Sequence, residues 1–298
     1  RNLKVSGRRV IVRVDFNVPL DKNGNIVDDS KIHAALPTIN YLLKKKSRVI
    51  LMSHFGKPSG TDAKLRMNII AERLQKLLHR DVVKVDNCVG PSVKAVVKGM
   101  KEGDVVLLEN LRFHLEEESN SHVFAKALAG LADVYVNDAF GTMHRSHASV
   151  DKIADFLPSA AGLLIEKELA ALTPLLETPN RPFVGIMGGV KVSDKIKVIE
   201  NLLNTVDVLL IGGAMMFTFL KSQKLEVGNS LIEDNLLSFA KKMLKSNKIV
   251  LPVDVVVAKS QKGLGKVVAV NKISKSMTGF DIGPATVILF KNKLRSAK

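Results

Sequence analysis

Val10-Ile11-Val12-Arg13-Val14 runs straight into Asp15-Phe16-Asn17. Five mostly β-branched residues stop abruptly at a polar cluster. Apolar runs of this length without alternation read as strands buried on both faces. The pattern recurs along the chain. Val49 to Met52 ends at Ser53-His54-Phe55-Gly56, and Val105 to Leu108 at Glu109-Asn110-Leu111-Arg112. Val134 to Val136 ends at Asn137-Asp138, Phe183 to Met187 at Gly188-Gly189, Val206 to Ile211 at Gly212-Gly213, and Val253 to Val257 at Ala258-Lys259.

Between these runs lie stretches with helical spacing. Ile69, Leu74, Leu77 and Leu78 form one apolar face; Val123, Ala127, Leu128 and Leu131 form another. Leu164, Leu169, Leu172, Leu175 and Leu176 mark a longer helix that Pro174 is expected to kink or end. Ile196, Ile199, Leu202 and Leu203 mark a fourth. Strand and helix in regular alternation predict an α/β protein with parallel sheets and helices on both faces. At ~100–200 residues per domain, 298 residues suggest two domains. A helix bracketed by Leu157-Pro158 and Thr178-Pro179-Asn180-Arg181-Pro182 is the natural connector. The expected organisation is two Rossmann-like lobes, residues 1–158 and 181–298, joined by a connecting helix in 159–180, with the second lobe incomplete.

Composition narrows the chemistry. Hydrophobic residues make up 46% and charged residues 25%, which excludes general disorder and low complexity. No apolar run approaches the ~20 residues that span a bilayer, so no membrane partner is expected. A single cysteine, Cys88, excludes an internal disulfide and a CxxC metal site, and points to a reducing compartment. Arg1-Asn2-Leu3 shows neither methionine nor a signal core, and each terminus is expected to be an artificial boundary rather than a natural chain end. The formal charge of +16 favours anionic partners: nucleic acid, acidic lipid or phosphorylated metabolites. Lys44 to Lys46 is the one sharp basic cluster and reads as a solvated helix end. Aromatic residues are 5% and do not interleave with basic clusters as stacking platforms do, which weakens the nucleic-acid reading.

In open α/β sheets ligands sit at the carboxyl ends of the strands. Those ends in the first lobe carry Asp15, Asn17, His54, Lys57, Arg112 and Arg145, with Lys31 at a helix start after Asp28-Asp29-Ser30. Several cations converging on one edge are costly unless an anion sits among them. The first lobe therefore reads as a receptor for a small, multiply anionic molecule, with Asp15 and Asn17 placed to hold a hydroxyl group. In the second lobe, Gly188-Gly189-Val190-Lys191-Val192-Ser193-Asp194-Lys195 follows a strand and opens a helix. Glycines let a ligand approach the backbone, and a helix N-terminus favours phosphate. Lys191 and Lys195, four apart, are expected to share a helix face and an anion. Gly212-Gly213-Ala214 repeats the arrangement, with a tight turn as its plain structural reading. His144 and His147 are too few to predict a metal site. P-loop, dinucleotide, nucleophile-elbow and H-E-x-x-H signatures are absent.

These strings resemble phosphoglycerate kinases. The resemblance rests on Arg13-Val14-Asp15-Phe16-Asn17-Val18-Pro19, Ser53 to Pro58, Leu108 to Phe113, and Asn137 to Arg145. It continues, in family order, through Gly188 to Ile196, Ile211 to Lys221, Pro252-Val253-Asp254 and Asp281-Ile282-Gly283-Pro284. It implies a glycolytic, cytoplasmic, monomeric enzyme that moves a phosphoryl group between 1,3-bisphosphoglycerate and ADP, giving 3-phosphoglycerate and ATP. Mg2+ is carried with the nucleotide, and closure of the lobes joins the substrates. The matching phosphoglycerate positions are Asp15, Phe16, Asn17, Lys31, His54, Phe55, Gly56, Lys57, Arg112 and Arg145. The matching nucleotide positions are Gly188, Gly189, Lys191, Lys195, Gly212 and Gly213. Lys31, Lys191 and Lys195 are the implied catalytic cations.

Departures from the family pattern matter. Lys31 and Lys57 stand where the family usually has arginine, so charge is kept but the planar fork is lost. Val190 and Ala214 replace the usual Ala and Gly, and Met143 a common small residue. The family's Trp-Asn-Gly-Pro string and its Gly-Gly-Gly-Asp-Thr loop are not found, so a fragment of a longer enzyme is expected. The alternative is a catalytically weak phosphoglycerate-binding fragment lacking the full nucleotide site. A basic nucleic-acid binder reusing the fold is a third possibility.

Overall fold

The computed structural model describes residues 3–298; Arg1 and Asn2, the start of the expected first lobe, lie outside the described residues. The chain forms two compact units, Arg1–Leu172 and Thr173–Lys298.

The first unit is built on six strands: β1 (Arg9–Arg13), β2 (Arg48–Met52), β3 (Val82–Lys84), β4 (Val105–Leu107), β5 (Val134–Asn137) and β6 (Ser159–Ala161). They lie in the order β3-β4-β2-β1-β5-β6, and every pairing is parallel. Helices α1 (Ser30–Lys44), α2 (Asn68–Leu78), α3 (Pro91–Lys98), α4 (Leu115–Glu118) and α5 (His122–Ala129) connect them, and α6 (Leu163–Glu177) crosses the division between the units. Successive strand residues point to opposite faces. Val10, Val12, Val49, Leu51 and Val136 accordingly enter one core with Ile32, Ile39 and Leu74 of α1 and α2. Ile11, Ile50, Met52, Val106 and Tyr135 enter a second core with Val93, Phe124 and Leu128 of α3 and α5. Burial on both faces is why these strands are unbroken apolar runs.

Strand β1 continues through α1 to β2 on one side and meets β5 on the other. The chain thus leaves the β1–β5 junction in opposite directions, and the crevice that forms there is the usual ligand position of such sheets.

The second unit pairs β7 (Val184–Met187), β8 (Val208–Ile211) and β9 (Ile249–Val250) in parallel, order β7-β8-β9. Helices α7 (Ile196–Thr205), α8 (Met215–Ser222) and α9 (Leu237–Leu244) accompany it. A second, antiparallel sheet was not foreseen in the sequence pattern. It consists of β10 (Asp254–Ala258) between β11 (Lys266–Ala269) and β12 (Thr278–Ile282), followed by α10 (Pro284–Leu294). Two of the family strings meet there in a structural role. Asp254 takes the amides of Ala285 and Thr286 at 2.9 and 2.7 Å and so fixes the first turn of α10.

Four local expectations are corrected. Pro174 does not end its helix, which runs on to Glu177. The expected apolar face of that helix is largely exposed, with Ile165 its one buried residue among those described. In α5 the buried face is Phe124, Ala125, Leu128 and Ala129 rather than Val123, which is exposed. In β7, Ile186 is 65% exposed, so this strand is not buried on both faces.

Candidate functional site

The carboxyl ends of β1, β2 and β5 and the first turn of α1 enclose a hollow of ≈ 330 Å³ within the first unit. Its lining includes Asp15, Asn17, Lys31, His54, Asp138 and Arg145. Five of these six are residues that the sequence singles out. They come from positions as far apart as 15 and 145, and the parallel sheet brings them to one edge.

Most are held by specific contacts. Asp15 Oδ2 lies 3.0 Å from Lys31 Nζ, and Oδ1 accepts the Asn17 amide at 3.1 Å. Burial pushes the Asp15 carboxyl up, but the Lys31 hydrogen bond, the Lys31 charge and the Asn17 amide outweigh it and leave it below the ordinary value. Asn17 Oδ1 accepts the Gly56 amide at 2.8 Å, which ties the end of β1 to the turn after β2. That turn is also gripped by Asn110, fully buried, whose Oδ1 accepts Phe55 N and Arg112 N while Nδ2 donates to the carbonyls of Phe55 and Leu65. Gly56 has a φ of +63°, and a Cβ there would meet the Leu65 side chain at 2.8 Å, so the turn demands glycine.

His54 is buried against Arg13, whose Nη2 lies 3.2 Å from its Nδ1. Burial first, then the Arg13 charge and those of Arg112 and Arg145, push the imidazole down to about 3 despite the opposing Asp15 carboxylate. The ring is therefore neutral at physiological pH. An arginine only donates, so Nδ1 accepts and the ring proton sits on Nε2.

The other predicted residues stand differently. Arg112 is buried beside the hollow, not in its lining; Nη1 donates to the Gly56 carbonyl at 2.6 Å and Nε lies 2.9 Å from Glu118 Oε1 without hydrogen-bond geometry. Lys57 is exposed and outside the lining. The side chains of Phe16 and Phe55 belong to the hydrophobic core, so only their backbone can face a ligand. Sequence inspection missed Ala34, Asp138, Phe140, Gly141, Thr142, Leu164 and Glu168 as lining residues. Asp138 carried the one usable signal, a polar residue at a strand end. One of its oxygens caps Leu164 N at 2.9 Å and the other, buried, has no hydrogen-bond partner in the structure. Burial raises its carboxyl above the ordinary value, against the Thr38 and Leu164 hydrogen bonds.

In the second unit the two glycine turns pack backbone against backbone. Met215 N donates to the Gly189 carbonyl at 2.9 Å, and a Cβ on Gly213 (φ +63°) would sit 2.7 Å from Gly189 N. The Lys195 side chain lies over Gly189, where a Cβ would be 3.1 Å from Nζ. Lys191 and Lys195 do not share a helix face: α7 begins at Ile196, Lys195 closes a 3-10 turn, and Lys191 lies in the loop before it. Nor are two of the amides before α7 open to phosphate. Glu233 takes Val192 N at 2.6 Å and Ser193 N at 3.0 Å. Its hydrogen bond with the Ser193 hydroxyl and those amides, against a smaller effect of burial, keep its carboxyl below the ordinary value.

A sequence model of the family "Phosphoglycerate kinase" matches residues 1–298. The chain belongs to the phosphoglycerate kinase family. Among similar proteins, the phosphoglycerate kinase of Dictyoglomus turgidum is 50% identical over 305 residues, covering 100% of this chain and 77% of that relative. That of Pseudothermotoga lettingae is 52% identical over 307 residues, again 100% and 77%. The solved phosphoglycerate kinase of Coxiella burnetii superposes with a TM-score of 0.85 at 36% identity, covering 99% of this chain and 77% of that one. The Pyrococcus horikoshii OT3 enzyme gives 0.84 at 30% identity. The fold and the general phosphoryl-transfer chemistry of phosphoglycerate kinases are therefore those of this chain. Among the described residues no helix is long and apolar enough to cross a membrane.

Proposed function

We propose that the first unit binds 3-phosphoglycerate and 1,3-bisphosphoglycerate, and that this 298-residue chain is a phosphoglycerate-binding protein with weak phosphoryl transfer to and from MgADP. The hollow carries the proposal: Lys31 and Arg145 offer positive charge, neutral His54 a donor, and Asp15 and Asn17 partners for a hydroxyl. A small hydroxy acid bearing carboxylate and phosphate matches that set of groups. Phosphoryl transfer asks the protein for in-line positioning and positive charge rather than covalent work. Lys31 supplies charge from the acid side; Lys191 and Lys195 supply it from the nucleotide side.

The nucleotide half has fewer assembled groups. Gly188, Gly189, Gly212 and Gly213 form a backbone surface without side chains, suited to close approach by phosphate, but Glu233 occupies two of the neighbouring amides. Among the described residues no three His, Cys, Asp or Glu side chains converge as a metal site. Mg2+ takes many of its ligands from substrate phosphates and water, so in this proposal it enters as part of the nucleotide substrate. The second reading is an efficient kinase; the paired glycine turns under Lys195 favour it.

Calorimetry with 3-phosphoglycerate and with MgADP, beside a coupled ATP assay, separates the two. Binding of 3-phosphoglycerate with feeble MgADP binding and slow turnover supports the proposal. Tight binding of both with fast turnover replaces it by the efficient kinase. Failure to bind 3-phosphoglycerate removes the assignment of the hollow.

A further inference from the structure

Behind the hollow, on the side of His54 away from any ligand, lies a buried polar chain that the site itself does not explain. Arg13 is 1% exposed and has no carboxylate within salt-bridge distance among the described residues. Each of its three guanidinium nitrogens nevertheless has a partner. Nε donates to Ser149 Oγ at 2.9 Å, Nη1 to the Val14 carbonyl, and Nη2 to His54 Nδ1 at 3.2 Å. The Ser149 hydroxyl has one proton, and it goes to Glu117 Oε1 at 2.6 Å, while the Ser149 amide donates to Glu117 Oε2 at 3.0 Å. Glu117 and Ser149 are both 0% exposed.

A buried cation is expensive unless it is paired and hydrogen-bonded. Glu117 supplies the compensating charge one hydroxyl away, and the direction of every proton in the chain follows. Glu117 can only accept from Ser149, Ser149 must then accept from Arg13, and Arg13 can only donate to His54. We propose that Glu117 and Ser149 are positioning residues for the phosphoglycerate site, which hold Arg13 so that His54 presents Nε2–H, and never a bare nitrogen, to the hollow. The proposal rests on the phosphoglycerate reading of that hollow, where an acid oxygen needs a donor. Outer partners of this kind fix ring tautomer and orientation in many histidine sites.

Other ionisable groups bear on the chain. Asp15, Arg112 and Arg145 act on His54 from the strand ends. His147 Nδ1 lies 3.8 Å from Glu117 Oε1, and Tyr135 and His114 also feel the Glu117 charge. None of them bonds to His54 Nδ1, so the tautomer depends on Arg13.

Nitrogen NMR of histidine-labelled, ligand-free protein at neutral pH reads the tautomer directly. The native chain is expected to show His54 protonated at Nε2. Ser149→Ala and Glu117→Gln are expected to mix the two tautomers and to weaken 3-phosphoglycerate binding by about tenfold, roughly the loss of one buried hydrogen bond. Ser149→Thr, which keeps the hydroxyl, is expected to restore both. A native His54 protonated at Nδ1 overturns the proposal. So does a pair of variants that melt earlier yet keep tautomer and affinity, since that is a purely structural role. If the native chain fails to bind 3-phosphoglycerate, the ligand assignment falls, while the ligand-free spectrum still decides the positioning chain.

Discussion

Lys31 Nζ lies 3.0 Å from Asp15 Oδ2, so the cation at the start of α1 is held by a carboxylate at the end of β1. Lys31 is 47% exposed in its side chain and Asp15 14%. An ammonium is a point charge that one carboxylate oxygen can occupy; a guanidinium carries a fork that can keep Asp15 and still offer donors to a phosphoryl group. Lys31→Arg is therefore expected to raise kcat by about threefold or more, in line with the gain of a second charge-assisted hydrogen bond. Lys31→Met is expected to lower it by about 10²-fold or more, the usual cost of one transition-state donor. Steady-state assays in both directions check this, and an arginine variant no faster than the native chain would refute it.

His54 sets a pH dependence whose sign can be worked out. Its folded value is about 3, pushed down by burial and by Arg13, against 6.5 for an unperturbed imidazole. Between those limits the unfolded chain binds a proton that the folded chain refuses, so stability rises with pH across the window and is lost as pH falls from about 6.5 toward about 3. His114 and His147 are also held low by burial and contribute in the same direction. The comparison with His54→Gln isolates the one group. Melting temperatures measured between pH 4 and 7 are expected to fall less steeply in the variant. Parallel curves would mean that His54 titrates normally in the folded chain.

The strand ends were legible because burial on both faces leaves unbroken apolar runs, and polar residues that interrupt such runs have few places to go but the edge. That logic brought Asp15, Asn17, His54 and Arg145 to one hollow. It did not extend to side-chain direction. Phe16 and Phe55 follow the same strand ends but turn into the core, where their large apolar rings are removed from water. Lys191 and Lys195 have helical spacing, yet a 3-10 turn delays the helix to Ile196. Glu233 lies some forty positions from the amides it fills, and Glu117 and Ser149 approach Arg13 only through the folded sheet. Contacts of that range leave no local pattern to read.

Asn110 links stability to the site. Its amide closes four hydrogen bonds, with Phe55 N, Arg112 N and the carbonyls of Phe55 and Leu65. Asn110→Ala leaves those buried backbone groups without the amide and removes the clasp on the turn that carries His54 and Gly56. A loss of about 2–4 kcal/mol in urea unfolding is expected, the cost of stranding two or more buried polar groups. The affinity for 3-phosphoglycerate is expected to fall with it. An affinity unchanged in the folded variant would show that the turn is held by other contacts.

The paired glycine turns of the second unit make the last prediction. Gly213 adopts φ +63°, and a Cβ there would lie 2.7 Å from Gly189 N and 2.9 Å from its carbonyl oxygen. Backbone cannot move aside as a flexible side chain can, so Gly213→Ala must part the two turns or change the conformation at 213. Both alternatives disturb the ends of β7 and β8 and the Met215–Gly189 hydrogen bond. The strained backbone alone costs about 1–3 kcal/mol, and the collision adds to it. The feeble MgADP binding proposed for the native chain is expected to be lost in Gly213→Ala, while 3-phosphoglycerate, proposed to bind the other unit, keeps its affinity. Calorimetry with each ligand on one preparation makes the comparison internal. Retained MgADP binding would place the nucleotide away from these turns, and simultaneous loss of both ligands would mean that the substitution acts on the whole chain rather than on one backbone contact.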